Sequence, residues 1–398
     1  MRKVTCPVCK NSMAEEFFNP GPQPLATLGW PKSSEDAKKM NKFPMDYVQC
    51  PECTHVWNAS FSYDSIPYQT NPSRMFNHGY IWQGFLTEVR KKLVSKLKKD
   101  PVIIEIGCGE GHFLRGISEA LAAQGRFLGF DPDVSGESGL GIEFQARLFD
   151  PFLDVIEYQP DLIIMRHVLE HLVEPREFIS SLSWAINSIK KETILYAEVP
   201  CIDRVLETDR LSDFFYEHPS HFTSRSFRRL LSTNIGRTDV SFGYGREVLY
   251  SILSLGPSDE ASERAAWTKK FFKRTKSSLT NLKSQLKAIV ASGKTVAIWG
   301  GTGKAAAFIN HFQLDSTNFP LVVDSDKTKV GTFVAGMGQL ISYRDILRST
   351  KVDVVIIPSQ WRARDICEEM AREEILVPEI LIEHKGRLIN FKSDSHPY

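Results

Sequence analysis

No apolar run in this chain approaches the roughly 20 residues that a membrane-spanning helix needs, so no helical membrane protein is expected. The opening Met-Arg-Lys passes into a cysteine pair without an apolar stretch, so no secretory leader is read there. Surplus charge is also missing. Lys and Arg number 49 against 48 Asp and Glu, a net +1 that argues against a nucleic-acid groove, although Arg225, Arg228 and Arg229 cluster locally. Low-complexity tracts and internal repeats are absent, beyond a loose doubling of an α/β theme. Of seven cysteines, four fall in two short pairs and Cys108, Cys201 and Cys367 are scattered singly, so no disulfide framework is visible. What remains is ordinary globular usage over 398 residues, 42% hydrophobic and 24% charged. That length suggests two or three domains, with the cytoplasm as default location and a small molecule as partner.

The paired cysteines are Cys6-Pro-Val-Cys9 and Cys50-Pro-Glu-Cys53. Two Cys-x-x-Cys turns each present two sulfurs to one ion, which is what a closed tetrahedral thiolate zinc site requires. A redox dithiol would need only one pair, and an iron centre would use the same four sulfurs; ligand softness and geometry favour zinc. With no open coordination position implied, Cys6, Cys9, Cys50 and Cys53 are expected to hold a fold together.

After some 60 residues poor in helical periodicity, Ser73 to Lys98 reads as a connecting helix. From Pro101 to about Leu255, buried runs at Val102 to Ile106, Phe127 to Phe130, Leu162 to Met165 and Ile194 to Val199 alternate with amphipathic segments, the pattern of a parallel sheet covered on both faces. Asp259 to Ser292 is charged, with Leu279, Leu282, Leu286 and Ile289 at three- and four-residue steps, and reads as a linking helix. A second α/β unit follows, with strands at Val296 to Trp299, Leu321 to Val323 and Val354 to Ile357.

Chemistry begins at Glu105-Ile-Gly107-Cys-Gly109-Glu-Gly111, where an acid ends a strand and glycines let backbone approach a ligand. The next strand ends in Asp131, placed to accept from a ribose diol. This pattern resembles the class I S-adenosylmethionine-dependent methyltransferases. The resemblance implies that Glu105, Gly107 and Gly109 form the loop under the methionine moiety, that Asp131 binds the ribose hydroxyls, and that Asp150 meets the adenine edge. Met165 to His171 looks like the pocket-lining segment of the same class, which adds His167 to the cofactor residues; neither His167 nor His171 is assigned as a base. Further on, Phe214-Phe-Tyr-Glu-His-Pro-Ser-His221 packs Tyr216, Glu217, His218 and His221 together, beyond the fifth strand where ligands of open α/β sheets sit. A histidine beside a carboxylate is a general-base arrangement, so His218 is the expected base and Glu217 its support.

The whole chain is similar to the sugar C-methyltransferases that act on nucleotide-linked 4-keto deoxysugars. The four-cysteine domain, the stretch Gly21 to Ala26 between the knuckles, Pro67-Tyr68, the central domain and a C-terminal α/β domain all carry the likeness. The resemblance implies a Tyr-His-Glu-His motif for the base and its supports, and a tyrosine at Tyr68 over the substrate. Glu217 and His218 keep that motif; Phe215 stands for its tyrosine, Tyr216 for its first histidine, and His221 where the family has tyrosine. Tyr68 and Tyr216 become candidate donors to an enolate oxygen.

The expected class is therefore α/β with a zinc-binding N-terminal domain at 1–72, a Rossmann-like methyltransferase domain at 73–258, a linking helix at 259–292 and a second Rossmann-like domain at 293–398. The expected activity is S-adenosylmethionine-dependent C-methylation of a nucleotide-linked keto-deoxysugar, with structural Zn2+ and neither nucleic acid nor membrane as partner. O- or N-methylation would suit the same His-Glu pair. A rival reading comes from Gly301, Gly303, Ala306 and Asp324, which have dinucleotide spacing and would serve an NAD-dependent oxidoreductase; Lys304 in that turn is a candidate phosphate contact.

Overall fold

The computed structural model describes residues 1–66, 77–134, 141–235 and 238–398. It divides into two compact units, Met1–Ser262 and Glu263–Tyr398.

The first unit opens with two hairpins whose turns are the cysteine knuckles. Strands β1 (Arg2–Lys3) and β2 (Met13–Phe18) flank Cys6 to Cys9, and β3 (Tyr47–Gln49) and β4 (Val56–Asn58) flank Cys50 to Cys53, with helix α1 (Ser34–Lys39) between the hairpins. The two turns close identically. Lys10 N–H donates to Cys6 carbonyl at 3.0 Å and Cys6 N–H to Asn11 carbonyl at 2.8 Å; Thr54 N–H and Cys50 N–H repeat the pair at 2.9 and 2.8 Å to Cys50 and His55 carbonyls. Each turn ends in a residue of positive φ, Lys10 at 64° and Thr54 at 62°. For a β-branched threonine this is a costly conformation. It is held by the Thr54 hydroxyl, 2.7 Å from the hydroxyl of Thr223. The sheet β1-β2-β3-β4 gains a fifth strand from far along the chain, Ser220–His221, antiparallel to β4.

Helix α2 (Tyr80–Val94) is shorter than the span read from sequence, and buries Leu86, Val89 and Leu93. The central strands are β5 (Val102–Ile106), β6 (Arg126–Phe130), β7 (Ile142–Gln145), β8 (Leu162–Arg166) and β9 (Ile194–Pro200), followed by Ser220–His221 as β10, then β11 (Ser241–Gly243) and β12 (Val248–Ser254). Helices α3 (His112–Ala120), α4 (Pro151–Tyr158), α5 (Pro175–Ile189), α6 (Ile202–Glu207) and α7 (Ser224–Leu231) intervene. The sheet order is β11-β12-β9-β8-β5-β6-β7, parallel from β9 to β7 with β12 antiparallel to β9. The order reverses between β5 and β8, so a ligand crevice lies outside their carboxyl ends. Cys6, Val8, Cys50, Cys53 and Trp57 belong to one buried cluster with Ile104, Met165, Leu169 and Phe222. The cysteine hairpins thus share the core of the central sheet.

A 33-residue helix, α8 (Asp259–Ala291), occupies the span read as a linker and buries Leu282 and Leu286. In the second unit β13 (Val296–Trp299), β14 (Leu321–Asp324), β15 (Ile341–Tyr343), β16 (Val354–Ile356), β17 (Glu379–His384) and β18 (Arg387–Asn390) form a sheet ordered β15-β14-β13-β16-β17-β18, antiparallel only at the β17-β18 edge, with α9 (Lys304–Phe312) after β13. No helix among the described residues is long and apolar enough to cross a membrane.

Candidate functional site

Cys6, Cys9, Cys50 and Cys53 converge, with Sγ atoms all within 4.8 Å of one another and none in a disulfide. The Cys6–Cys53 and Cys9–Cys50 separations are 3.6 and 3.4 Å. Four thiolates at a Zn–S distance of about 2.3 Å stand about 3.8 Å apart, so these residues fit a closed zinc site. Such an ion would fix both hairpin turns at once.

At the carboxyl end of β5, Gly107 and Gly109 have positive φ, 69° and 52°. A Cβ on Gly107 would strike Val168 at 2.5 Å, whereas one on Gly109 would meet nothing within 4 Å, so the second glycine borders open space. Asp131 closes this loop: its Oδ2 accepts from Gly109 N–H at 3.0 Å and its Oδ1 from Asp133 N–H at 2.9 Å. Each oxygen keeps further acceptor capacity for a ribose diol. Glu105 lies deeper, 3% exposed, accepting from Leu114 N–H at 3.1 Å and so holding the start of α3 beneath the loop. Burial pushes its carboxyl up to about 7 against the pull of Arg166 and Arg90. Asp150 caps α4 through bonds from Phe152 and Leu153 N–H, both 2.9 Å, and lines an open cleft of about 730 Å³ with Phe61, Tyr63, Leu172 and Phe178.

Next to the loop, the ends of β8 and β9 carry a buried charge cluster that sequence reasoning did not single out. Arg166 Nε and Nη2 donate to Glu198 Oε1 at 3.1 and 3.0 Å, and Tyr196 hydroxyl donates to the other oxygen. His167, held at φ 52°, lies 3.1 Å from Glu170 through Nδ1 and 3.2 Å from Glu198 through Nε2. Burial disfavours its charge, yet bonding to Glu170 and Glu198 raises it to about 9. Burial likewise opposes charge on Glu198, and Arg166 and His167 overcome it, drawing that carboxyl down to about 2. Both ring nitrogens of His167 being engaged, it shapes the loop after β8 and has no free donor for a cofactor. Only the dense run of Arg166, His167, Glu170 and Glu198 at two strand ends could have flagged this cluster.

The segment before β10 is where sequence and structure diverge. Glu217 is fully buried, but its carboxylate does not bond to a histidine. Its Oε1 accepts from Thr27 N–H at 2.7 Å, Thr27 hydroxyl at 3.1 Å and Leu28 N–H at 3.0 Å, while Oε2 has no partner among the described residues. The expected carboxylate support for the base is instead an anchor for the stretch after Ala26. Tyr216 is buried in an aromatic stack with Phe43 and Phe61, and its hydroxyl accepts from Ser62 N–H at 3.0 Å and donates to Ser62 carbonyl at 3.4 Å, so it packs the N-terminal module. His221, on β10, is enclosed by Tyr47 and Phe214, and burial pushes it down to about 3. Tyr68 lies outside the described residues.

Among the described members of that set, His218 alone keeps an accessible ring. It is half-buried, Phe215 lies against it at 4.1 Å between centroids, and His171 meets it edge-on at 4.7 Å. Burial, then the neighbouring His171, His221 and His167, hold its pKa well below the ordinary histidine value. His171, not selected from sequence, joins the site through Nδ1, 2.8 Å from the carbonyl oxygen of Glu217. That carbonyl can only accept, so Nδ1 carries the hydrogen.

In the second unit, Gly300 and Gly303 have positive φ, and a Cβ on Gly301 would strike Ile341 at 2.3 Å. Asp324 is engaged by Lys329 at 3.3 Å and Asp326 N–H at 2.9 Å, and Lys304 lies over Trp361.

Residues 78–238 match the family described as a methyltransferase domain, and residues 258–375 the family described as a C-methyltransferase C-terminal domain. The C-methyltransferase NovU of Streptomyces niveus is 23% identical over 371 residues, 83% of each chain. Among solved structures, the plantazolicin methyltransferase BpumL in complex with a substrate analogue and S-adenosylhomocysteine is 16% identical, covering 44% of this chain and 83% of its own, with a TM-score of 0.34. An S-adenosylmethionine-dependent methyltransferase from Aquifex aeolicus is 15% identical, covering 46% and 100%, with a TM-score of 0.33. The chain is an S-adenosylmethionine-dependent methyltransferase.

Proposed function

We propose that this methyltransferase acts on a carbon beside the ketone of a nucleotide-linked keto-deoxysugar, with His218 as general base. The observation that carries the reading is the His218 ring. Among the described residues none hydrogen-bonds its nitrogens, it is uncharged, and it lies beyond the carboxyl end of β9. A C–H next to a ketone is acidic enough for a positioned neutral imidazole to remove its proton. S-Adenosylmethionine, when bound, supplies the electrophilic sulfonium methyl. Gly107, Gly109, Asp131 and Asp150 would hold it, and Arg166, His167 and Glu198 would keep the neighbouring strand ends in register. The proton passes to His218, and the enolate carbon takes the methyl. Phe215 against the imidazole shields that face from water, and Tyr68, the remaining candidate donor, would meet the enolate oxygen. Similarity to NovU and to the C-methyltransferase C-terminal domain supports carbon as acceptor. The zinc module supports the same reading by supplying the sheet on which the base segment ends.

The test is a panel of nucleotide-linked 4-keto sugars offered with methyl-labelled S-adenosylmethionine, the label then located by NMR. Label on the carbon adjacent to the ketone is the expected result. Label on oxygen or nitrogen, or transfer only to acceptors without a ketone, would replace this reading.

A further inference from the structure

We propose that the N-terminal half of α8 is a docking surface for an anionic phospholipid bilayer, which it meets with Trp267, Phe271 and Phe272. From Arg264 to Ala291 this helix carries eight Lys and Arg and not one Asp or Glu, although the whole chain is balanced to within a single charge. Lys269, Lys270, Lys273, Arg274 and Lys276 are all exposed, and none of the five has an ion pair among the described residues. The aromatic side chains stand apart from these charges. Phe272, Leu279 and Leu286 recur at seven-residue steps and Trp267 and Phe271 are four apart, so they share one stripe of the helix. The far end of that stripe, Leu282 and Leu286, is buried with Val296 and Phe308 in the core of the second unit. Its continuation is bare: Trp267 is 66% exposed, Phe271 53% and Phe272 75%, with the Trp267 and Phe271 rings stacked 6.1 Å apart. Single exposed aromatics are ordinary, but a stacked pair with a third ring beside it is a patch. At about 100° per residue, Lys270 and Arg274 border the patch on one side and Lys269 and Lys276 on the other.

Rings on one face and Lys and Arg around the other are what a helix lying in the headgroup layer needs: the rings enter the acyl boundary and the cations meet lipid phosphates. Charge complementarity selects this occupant. A second copy would set the cationic rim against itself across a two-fold contact. A single-stranded nucleic acid would suit rings interleaved with the cations, so that bases stack between phosphate contacts, whereas here the two occupy separate faces. A surface-lying helix needs no apolar run of spanning length, and a net charge of +1 conceals the cationic block; the inference therefore departs from the expectation that no membrane is a partner.

The experiment is co-sedimentation of full-length protein with vesicles of phosphatidylcholine alone and of equal parts phosphatidylcholine and phosphatidylglycerol. Binding at least tenfold tighter to the anionic vesicles is expected, weakening at least tenfold between about 0.05 and 0.5 M NaCl as the lipid charge is screened. Trp267→Ser with Phe272→Ser keeps every charge, and Lys269→Gln with Lys273→Gln keeps every ring. Each pair should weaken binding at least tenfold, while thermal unfolding in lipid-free buffer stays that of the parent because the altered side chains are exposed. Brominated acyl chains should also quench the tryptophan fluorescence of the parent, and Trp267→Phe should remove most of that quenching. No binding to anionic vesicles, equal affinity for neutral ones, binding indifferent to either pair, or unquenched fluorescence on bound vesicles would overturn the proposal. Two other results would reassign the face and overturn it equally: a mass that doubles with concentration in lipid-free buffer and reverts in the aromatic pair, or tighter binding of a single-stranded oligonucleotide than of anionic vesicles.

Discussion

His218, the proposed base, depends on its surroundings: burial and the nearby His171, His221 and His167 keep the ring uncharged at neutral pH. His218→Ala should lower kcat by about 10²- to 10⁴-fold, the usual worth of a general base, and leave S-adenosylmethionine affinity by calorimetry unchanged. Because a depressed pKa keeps the imidazole unprotonated further into acid, the acidic limb of kcat/KM should fall below pH about 6.5, where an ordinary histidine titrates. Glu105 has the opposite perturbation. Its folded pKa of about 7 lies above the ordinary 4.5, so between those values the unfolded chain releases a proton that the folded chain keeps. Stability from this group is full below pH 4.5 and declines as pH rises to 7, by on the order of 3 kcal/mol. Glu105→Gln should abolish that decline, read as urea midpoints at pH 5 and pH 8. The pairing of Glu217 with His218 was misjudged from sequence for a plain reason. Neighbours along a non-helical segment need not share a direction, and Glu217 sits in a turn closed by His218 N–H to the Phe215 carbonyl at 3.2 Å. Adjacency therefore placed a carboxylate beside the base in the chain but not in space.

At the scale of elements, the strands of both Rossmann-like sheets were legible because each is a short, almost wholly apolar run, the mark of burial on both faces. The knuckles were legible from their spacing. The two-residue strand β10 was not, having no period to read and a pairing with β4 decided by contacts across most of the unit. What holds its neighbourhood is a pair of clasps, Thr54 with Thr223, 169 positions apart, and Glu217 with Thr27 and Leu28. Glu217→Ala should cost about 1–3 kcal/mol by stranding buried donors, whereas Glu217→Gln, which retains an acceptor, should cost less. Thermal unfolding of both variants measures the difference.

For the molecule as a whole, the four-cysteine turns and the central sheet share one buried core, so loss of the zinc proposed for those turns should disturb both. Metal analysis should find one tightly held zinc per chain. Cys50→Ser should lower the unfolding temperature of unit Met1–Ser262 and abolish methyl transfer, while a separate transition from Glu263–Tyr398 stays where it was. Calorimetry resolves the two. The buried cluster joins residues from both sides of the expected boundary at residue 72.

Of the five strands in the four-cysteine sheet, the one that finishes it is made long after the other four. Both cysteine hairpins emerge within the first 60 residues, yet the edge of β4 stays unpaired until residue 221 has been synthesised. The nascent chain therefore presents all four cysteines early yet exposes a bare strand edge while more than 150 further residues are made, a species open to wrong pairing until β10 arrives.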